Sequence, residues 1–330
     1  GVAVAAAAAV VAAAPVVNGY TPAGTLWRML HLSTPGMQAI DPAGSNSSMF
    51  WQSDLPVQTW PGFFVDGAGN GDVLVWAGME AGPNNFTLSV FPRSGGGKAS
   101  STCTLSEAFS RQFVTAIARG ASATYALLMD ETVAPQVFTV ATIDEATCAT
   151  KQLGDVSAFA PVGTAPECCA LDAKAERWYW YSNRGVAGAT GGLVAVDLAS
   201  GEAGWVETTG AAISVPTQGQ PQTFMMDAQG RSLYIAQAGM GVPASLVRVD
   251  LDTGVVTSLW YKILRTYVPL LTGFALDTNR AAGTDAGDVG PWLIYLRGQP
   301  PLYSRYPATL AALDLGSCAR HDAWTNLGTV

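Results

Sequence analysis

Apolar residues in this chain come in short runs that stop at a turn residue, usually Asp, and resume a few residues later. Six such stops fall at Ile40-Asp41, Phe91-Pro92, Ile143-Asp144, Val196-Asp197, Val249-Asp250 and Leu313-Asp314, spaced 51, 52, 53, 53 and 64 residues apart. A second set, Asp66, Asp172, Asp227 and Asp277, closes other apolar runs at spacings of 106, 55 and 50. The clearest unit contains runs at 224–227, 233–236, 246–250 and 255–260, separated by turns at Ala228-Gln229-Gly230 and Asp252-Thr253-Gly254. Runs of this length bounded by Gly and Asp read as four β-strands, and no helical period competes over the same stretch.

Self-similarity at about fifty residues in strand-rich units is the pattern of a β-propeller. The expected fold is all-β: a six-bladed propeller of four-stranded antiparallel blades over 15–330, preceded by an Ala/Val-rich segment at 1–14. The units run 10–58, 59–108, 109–157, 158–212, 213–262 and 263–330, with an insertion near 281–290 in the last. In the first unit, strands are expected at 25–32, 37–41 and 48–55, and the innermost strand can come only from 12–17.

Composition narrows the partners. Among 330 residues, 17 Lys and Arg face 25 Asp and Glu, and 13% of the chain is charged. An acidic chain without a basic run is not built for nucleic acid or an anionic membrane. No run reaches the roughly 18 apolar residues of a membrane span. The N-terminal segment has three readings: the inner strand of its own first blade, a remnant of a secretory signal, or a strand docked on a neighbouring copy. In the last reading Val2, Val4, Val10 and Val11 are the assembly residues, copies of the chain itself are the partners, and head-to-tail docking builds a filament.

Five cysteines, with no metal-type spacing, point to disulfides in an oxidising, secretory setting. Cys103 with Cys148 is the first pairing expected. Cys318 repeats the position of Cys148 three units later, so those two cannot meet. Cys168 and Cys169 either bond to each other or are buried or paired separately, and the odd count leaves at least one thiol free or bonded to another chain. The sequons at Asn46 and Asn85 fall in expected turns and invite N-linked glycans. Trp51, Trp260 and Trp324 share one register, ten residues past their stops, on expected outer strands. They either pack between blades or form an outward aromatic wall. The run Arg177-Trp178-Tyr179-Trp180-Tyr181 is expected to be a strand buried on both faces.

Chemistry-bearing motifs are missing from the sequence: it holds no nucleophile elbow, phosphate loop or dinucleotide fingerprint. His31 is placed in a strand and His321 in an outer turn, too far apart to share a site. Asp66, Asp172, Asp227 and Asp277 are read as turn formers rather than a calcium ring. No catalytic, cofactor-binding or metal residue and no cofactor is therefore expected.

Phrases such as Leu193-Val194-Ala195-Val196-Asp197-Leu198-Ala199-Ser200-Gly201 and Leu246-Val247-Arg248-Val249-Asp250-Leu251-Asp252-Thr253-Gly254 resemble blades of the broad six-bladed propeller group that includes NHL-like, YncE-like and gluconolactonase-like proteins. The resemblance implies the blade fold. A lactonase-like member would carry Glu, Asn and Asp around a divalent metal at the channel mouth, and no such set aligns here. The connections at 182–192, 208–222, 239–245 and 298–309, rich in Gly, Pro, Thr and Gln, suit binding better than acid/base work. The expected role is a secreted structural or interaction propeller that self-assembles through its N-terminal segment. The alternatives are a metal-dependent lactonase or hydrolase and a carbohydrate-binding propeller.

Overall fold

The computed structural model describes the strands between Leu26 and Trp324 and, with side chains, most of 72–76, 87–92, 98–104, 114–130, 132–161, 169–182, 191–213, 223–227, 231–236 and 246–259, together with Leu276 and Leu315. Among the described residues the regular elements are β apart from the 3₁₀ turn Ser157–Phe159. Six sheets are formed among the described residues, and they divide between two compact units.

Ser53–Thr208 is one unit. Its first sheet, B, is the meander β4 (Gln58–Val65), β5 (Val73–Met79), β6 (Phe86–Phe91) and β7 (Ser101–Thr104). Sheet C follows with β8 (Gln112–Arg119), β9 (Thr124–Asp130), β10 (Val137–Ile143) and β11 (Thr150–Asp155). Sheet D has β12 (Cys169–Asp172), β13 (Arg177–Ser182), β14 (Gly192–Asp197) and β15 (Ala203–Trp205). Every neighbouring pair in the three sheets is antiparallel.

The central strands explain why the sequence alternates so weakly. Along β9, Tyr125, Leu127 and Met129 point into a layer shared with Trp178, Trp180, Val194 and Val196 of sheet D. Ala126 and Leu128 point the other way, into a layer with Leu74, Trp76, Leu88 and Val90 of sheet B. A strand covered on both faces reads as a continuous apolar run, because neither parity faces water. In β13, Trp178 to Tyr181 are all at most 3% exposed, as expected from their sequence. Burying an aromatic or Leu side chain on this scale stabilises by roughly 1.5–3 kcal/mol each.

The other unit comprises Gly1–Gln52 and Thr209–Val330. Sheet A is β1 (Leu26–Leu30), β2 (Gly36–Asp41) and β3 (Asn46–Gln52), with β1 and β3 at its edges. The innermost strand expected at 12–17, and the whole segment 1–14, lie outside the described residues. Sheet F is the meander β21 (Leu271–Asp277), β22 (Trp292–Arg297), β23 (Thr309–Asp314) and β24 (Arg320–Trp324).

Sheet E departs from the expected four strands. It contains β17 (Gln222–Asp227), β18 (Ser232–Gly239), β19 (Val242–Asp250) and β20 (Val255–Ser258), and a fifth strand, β16 (Thr209–Gly210), parallel to β20. Residues assigned from sequence to the fourth unit thus cover the outer edge of the fifth. Gly210 permits this: its φ is +95°, and a Cβ there would sit 2.6 Å from the Val256 carbonyl oxygen. Closing an edge in this way removes unpaired backbone groups that would otherwise recruit another strand. Two smaller expectations also change. The stretch 239–245 is mostly strand, since Gly239 pairs with Val242 across the β18–β19 hairpin. His321 lies within β24 opposite Ala312 rather than in a turn, because the Asp314 turn is short and β24 begins at Arg320.

Candidate functional site

The recurring stops build one device several times over. At the hairpin between the third and fourth strands, Asp144 Oδ1 accepts the backbone N–H groups of Ala146 and Thr147 and the Thr147 hydroxyl at 3.1, 2.8 and 2.8 Å. Asp197 does the same for Ala199 and Ser200, and Asp250 for the N–H groups of Asp252 and Thr253. The hydroxyl residue then accepts the N–H two residues on, from Ala149, Glu202 or Val255. Asp fits because its short carboxylate satisfies the N–H groups that a tight turn leaves unpaired. These bonds hold the Asp144 carboxyl below its usual pKa, chiefly through Thr147, and that of Asp250 likewise, chiefly through the Thr253 N–H.

Four residues after each Asp, the chain turns left-handed. Cys148, Gly201 and Gly254 have φ of 56°, 76° and 71°. Each seats against the chain on the outer side of the sheet before its own, or against the strand that covers its own edge. Cys148 is disulfide-bonded to Cys103 on β7, with Cα atoms 5.5 Å apart, the pairing placed first from sequence. Gly201 lies on β11, so close that a Cβ would stand 2.6 Å from the Leu153 carbonyl carbon. Gly254 accepts the Thr209 N–H at 3.0 Å through its carbonyl. The joint is therefore covalent in one place, a backbone contact in the second and a hydrogen bond in the third.

The first hairpins carry a related turn. Asp172 Oδ1 accepts the N–H groups of Lys174 and Ala175, and Glu176 is left-handed at φ 47°. Arg231, four residues past Asp227, matches it at φ 46°. Asp172 and Asp227 are each 1% exposed. Asp172 serves its turn, as expected from the sequence. Asp66 lies outside the described residues and Asp277 ends β21. Among the described residues, no group of His, Cys, Asp and Glu is arranged to hold a metal ion.

Two polar clusters between sheets gave no sequence signal. Arg119, at the end of β8, grips Glu145 with Nε and Nη2 at 2.8 and 2.5 Å and reaches Asp72 with Nη1 at 2.9 Å. Thr124 donates its hydroxyl to the same Glu145 carboxylate. Glu176 accepts the Ser122 N–H at 2.7 Å, and the Ser122 hydroxyl meets the Tyr125 hydroxyl at 2.9 Å. The Ser122 bonds hold the Glu176 carboxyl low, whereas burial pushes the Tyr125 hydroxyl up. Arg119 is 26 and 47 residues from Glu145 and Asp72, and Ser122 is 54 from Glu176, separations that no strand period joins. Both clusters tie sheet to sheet: Arg119 is matched by Asp72 and Glu145, and Glu176 by Ser122.

The remaining expected residues fall as follows. Asn46 opens the edge strand β3 opposite Asp41. Trp51 and Trp324 lie on the edge strands β3 and β24. Val2, Val4, Val10, Val11, His31, Asn85, Cys168, Trp260 and Cys318 lie outside the described residues. Cys169, at the start of β12, is disulfide-bonded. An unexpected aromatic, Trp205, is 37% exposed on β15, edge-on to Phe159 at 5.4 Å, with its ring over Gly192.

No protein-family model matches the chain, and no curated protein sequence is significantly similar to it. Solved structures similar to it are β-propeller proteins. The β-propeller domain of the Trilobed protease from Pyrococcus furiosus is 9% identical over 87% of this chain and 75% of its own, with a TM-score of 0.49. A Lactobacillus plantarum protein is 13% identical over 94% and 85%, at 0.48. An oligogalacturonate lyase in complex with manganese is 8% identical over 87% and 70%, at 0.43. The all-β assignment, with sheets of the propeller-blade type, rests on the strand order and register described above.

Proposed function

We propose that this chain is an extracellular structural or interaction module, a six-bladed propeller that joins copies of itself through its N-terminal segment. One observation carries the reading. Sheets B, C, D and F are four-stranded meanders, and sheet E has such a meander plus β16, whereas sheet A has three strands among the described residues, with β1 at its edge. On this reading a strand from 1–17 completes that sheet, and main-chain hydrogen bonding to an edge works equally well from a second copy. The small Ala and Val side chains of the segment suit a crowded inner edge. The Cys103–Cys148 bond supports an oxidising compartment. The turn carboxylates and ion pairs, occupied in structural roles, leave the described surface poor in groups for acid/base chemistry.

Size-exclusion chromatography with light scattering and negative-stain microscopy test this on the full chain and on a Val10→Pro/Val11→Pro variant. The reading expects large oligomers or filaments from the full chain, released to monomers by the prolines and by excess peptide 1–17. A full chain that stays monomeric at micromolar concentration, with a proline variant that merely loses stability, makes the segment an inner strand of its own sheet and ends the assembly proposal.

A further inference from the structure

Cys169 is disulfide-bonded, and Cys103 and Cys148 are bonded to each other. Its partner is therefore Cys168 or Cys318. The repeat decides between them. Cys318 follows Asp314 by four residues, which is the seat of Cys148 after Asp144, Gly201 after Asp197 and Gly254 after Asp250. Two of those seats face the outermost strand of the preceding sheet: Cys148 reaches β7 of sheet B, and Gly201 reaches β11 of sheet C. The third, Gly254, bonds Thr209 at the outer edge of its own sheet. All three contacts lie at outer edges and none reaches a first strand. Cys169 lies in β12, the first strand of sheet D and the edge opposite β15. The seat that the repeat assigns to Cys318 falls at the outer edge of sheet E, where neither β20 (Val255–Ser258) nor β16 (Thr209–Gly210) contains a cysteine.

We infer that Cys169 is bonded to its neighbour Cys168, forming an eight-membered ring where the chain enters the innermost strand of sheet D, and that Cys318 is the unpaired thiol. The ring is a redox site. A dithiol reductant opens it by thiolate attack on one sulfur and displacement of the other, adding two electrons and two protons and leaving two thiols and an oxidised, cyclised reductant. Cys169 is partly exposed, so the ring is within reach of such a reagent. The seat that the repeat assigns to Cys318 is sheltered in the three sheets where it is described: Cys148 is 2% exposed there, and Gly201 and Gly254 are buried. An odd cysteine in such a seat does not link copies covalently, so assembly through the N-terminal segment, on the reading proposed above, needs no interchain disulfide.

The test is peptide mapping of the full chain, alkylated with N-ethylmaleimide in denaturant without reductant. One thiol per chain is expected, on the tryptic peptide 306–320 that carries Cys318. The peptide 152–174, with Cys168 and Cys169, is expected 2 Da below its dithiol mass and linked to nothing. The Cys103–Cys148 crosslink serves as the internal control. In Cys318→Ala the labelled thiol should vanish while both bonds persist. A crosslink between 152–174 and 306–320, a label on either adjacent cysteine, or a thiol count of three overturns the inference.

Discussion

Cys148 shows how a single residue can serve two requirements that conflict. Its position in the repeat calls for a left-handed backbone, which Gly201 and Gly254 meet at no steric cost, whereas an L side chain is held there at roughly 1–2 kcal/mol. The bond to Cys103 closes a 45-residue separation and offsets that cost, with about 4 kcal/mol available in the chain-entropy account. The two effects separate in a background without the bond. Cys103→Ala/Cys148→Gly should be more stable than Cys103→Ala/Cys148→Ala by about 1 kcal/mol, read from urea midpoints. If alanine matches or exceeds glycine, the left-handed turn is not strained as described. The sequence already pointed to this turn, because Asp, a hydroxyl residue and Gly recur at fixed offsets. It did not show why one repeat abandons glycine, since the reason lies on another strand.

Between elements, contact depends on how closely backbones approach. Gly201 and Gly154 meet with no room for a side chain, so Gly201→Ala should cost more than about 2 kcal/mol, adding a clash to a left-handed φ. Gly204, with open space around its Cβ position, is the control, and Gly204→Ala should leave the midpoint nearly unchanged. Equal losses at both sites would argue against a close-packed joint. Sheets B and C are also tied by Arg119. Arg119→Met leaves Asp72 and Glu145 without their shared cation and should cost about 2 kcal/mol. Arg119→Lys should recover only part, because an ammonium cannot grip a carboxylate with two parallel bonds. Full recovery by lysine would reduce the cluster to simple charge. The strands themselves were legible in the apolar runs. β16 was not, because Thr-Gly carries no hydrophobic pattern and its partners come 46 residues later.

For the molecule as a whole, the turn carboxylates predict an acid limb. Asp144, Asp250 and Glu176 ionise more readily folded than unfolded, so each contributes stability above the ordinary carboxylate pKa of about 4. That contribution is lost as pH falls through their lower folded values. The thermal midpoint should therefore be flat near neutrality and drop below about pH 4. Thr147→Val should flatten the drop by returning Asp144 toward its ordinary pKa. A midpoint that rises on acidification would contradict the sign of all three shifts. The fold class was readable from sequence because a fifty-residue period constrains every unit at once. A functional site was not, because among the described residues the side chains with chemistry lie mostly in turns, matched to local backbone groups or, as at Arg119, to one another.

The Asp turn also dictates where this chain has been free to grow. In sheets C, D, E and F, the connection between the third and fourth strands is 6, 5, 4 and 5 residues long. The first connection, by contrast, runs from 4 residues in sheets C, D and E to 14 in sheet F, and the second from 2 in sheet E to 11 in sheet F. A residue added inside the Asp turn would move the left-handed position off its seat and detach one sheet from the next. Lengthening at the first and second connections disturbs no such joint. Tags, epitopes or whole inserted domains should therefore be accepted at 278–291 and 298–308 and rejected between Asp197 and Gly201, a grafting map drawn by one carboxylate and the residue four places on.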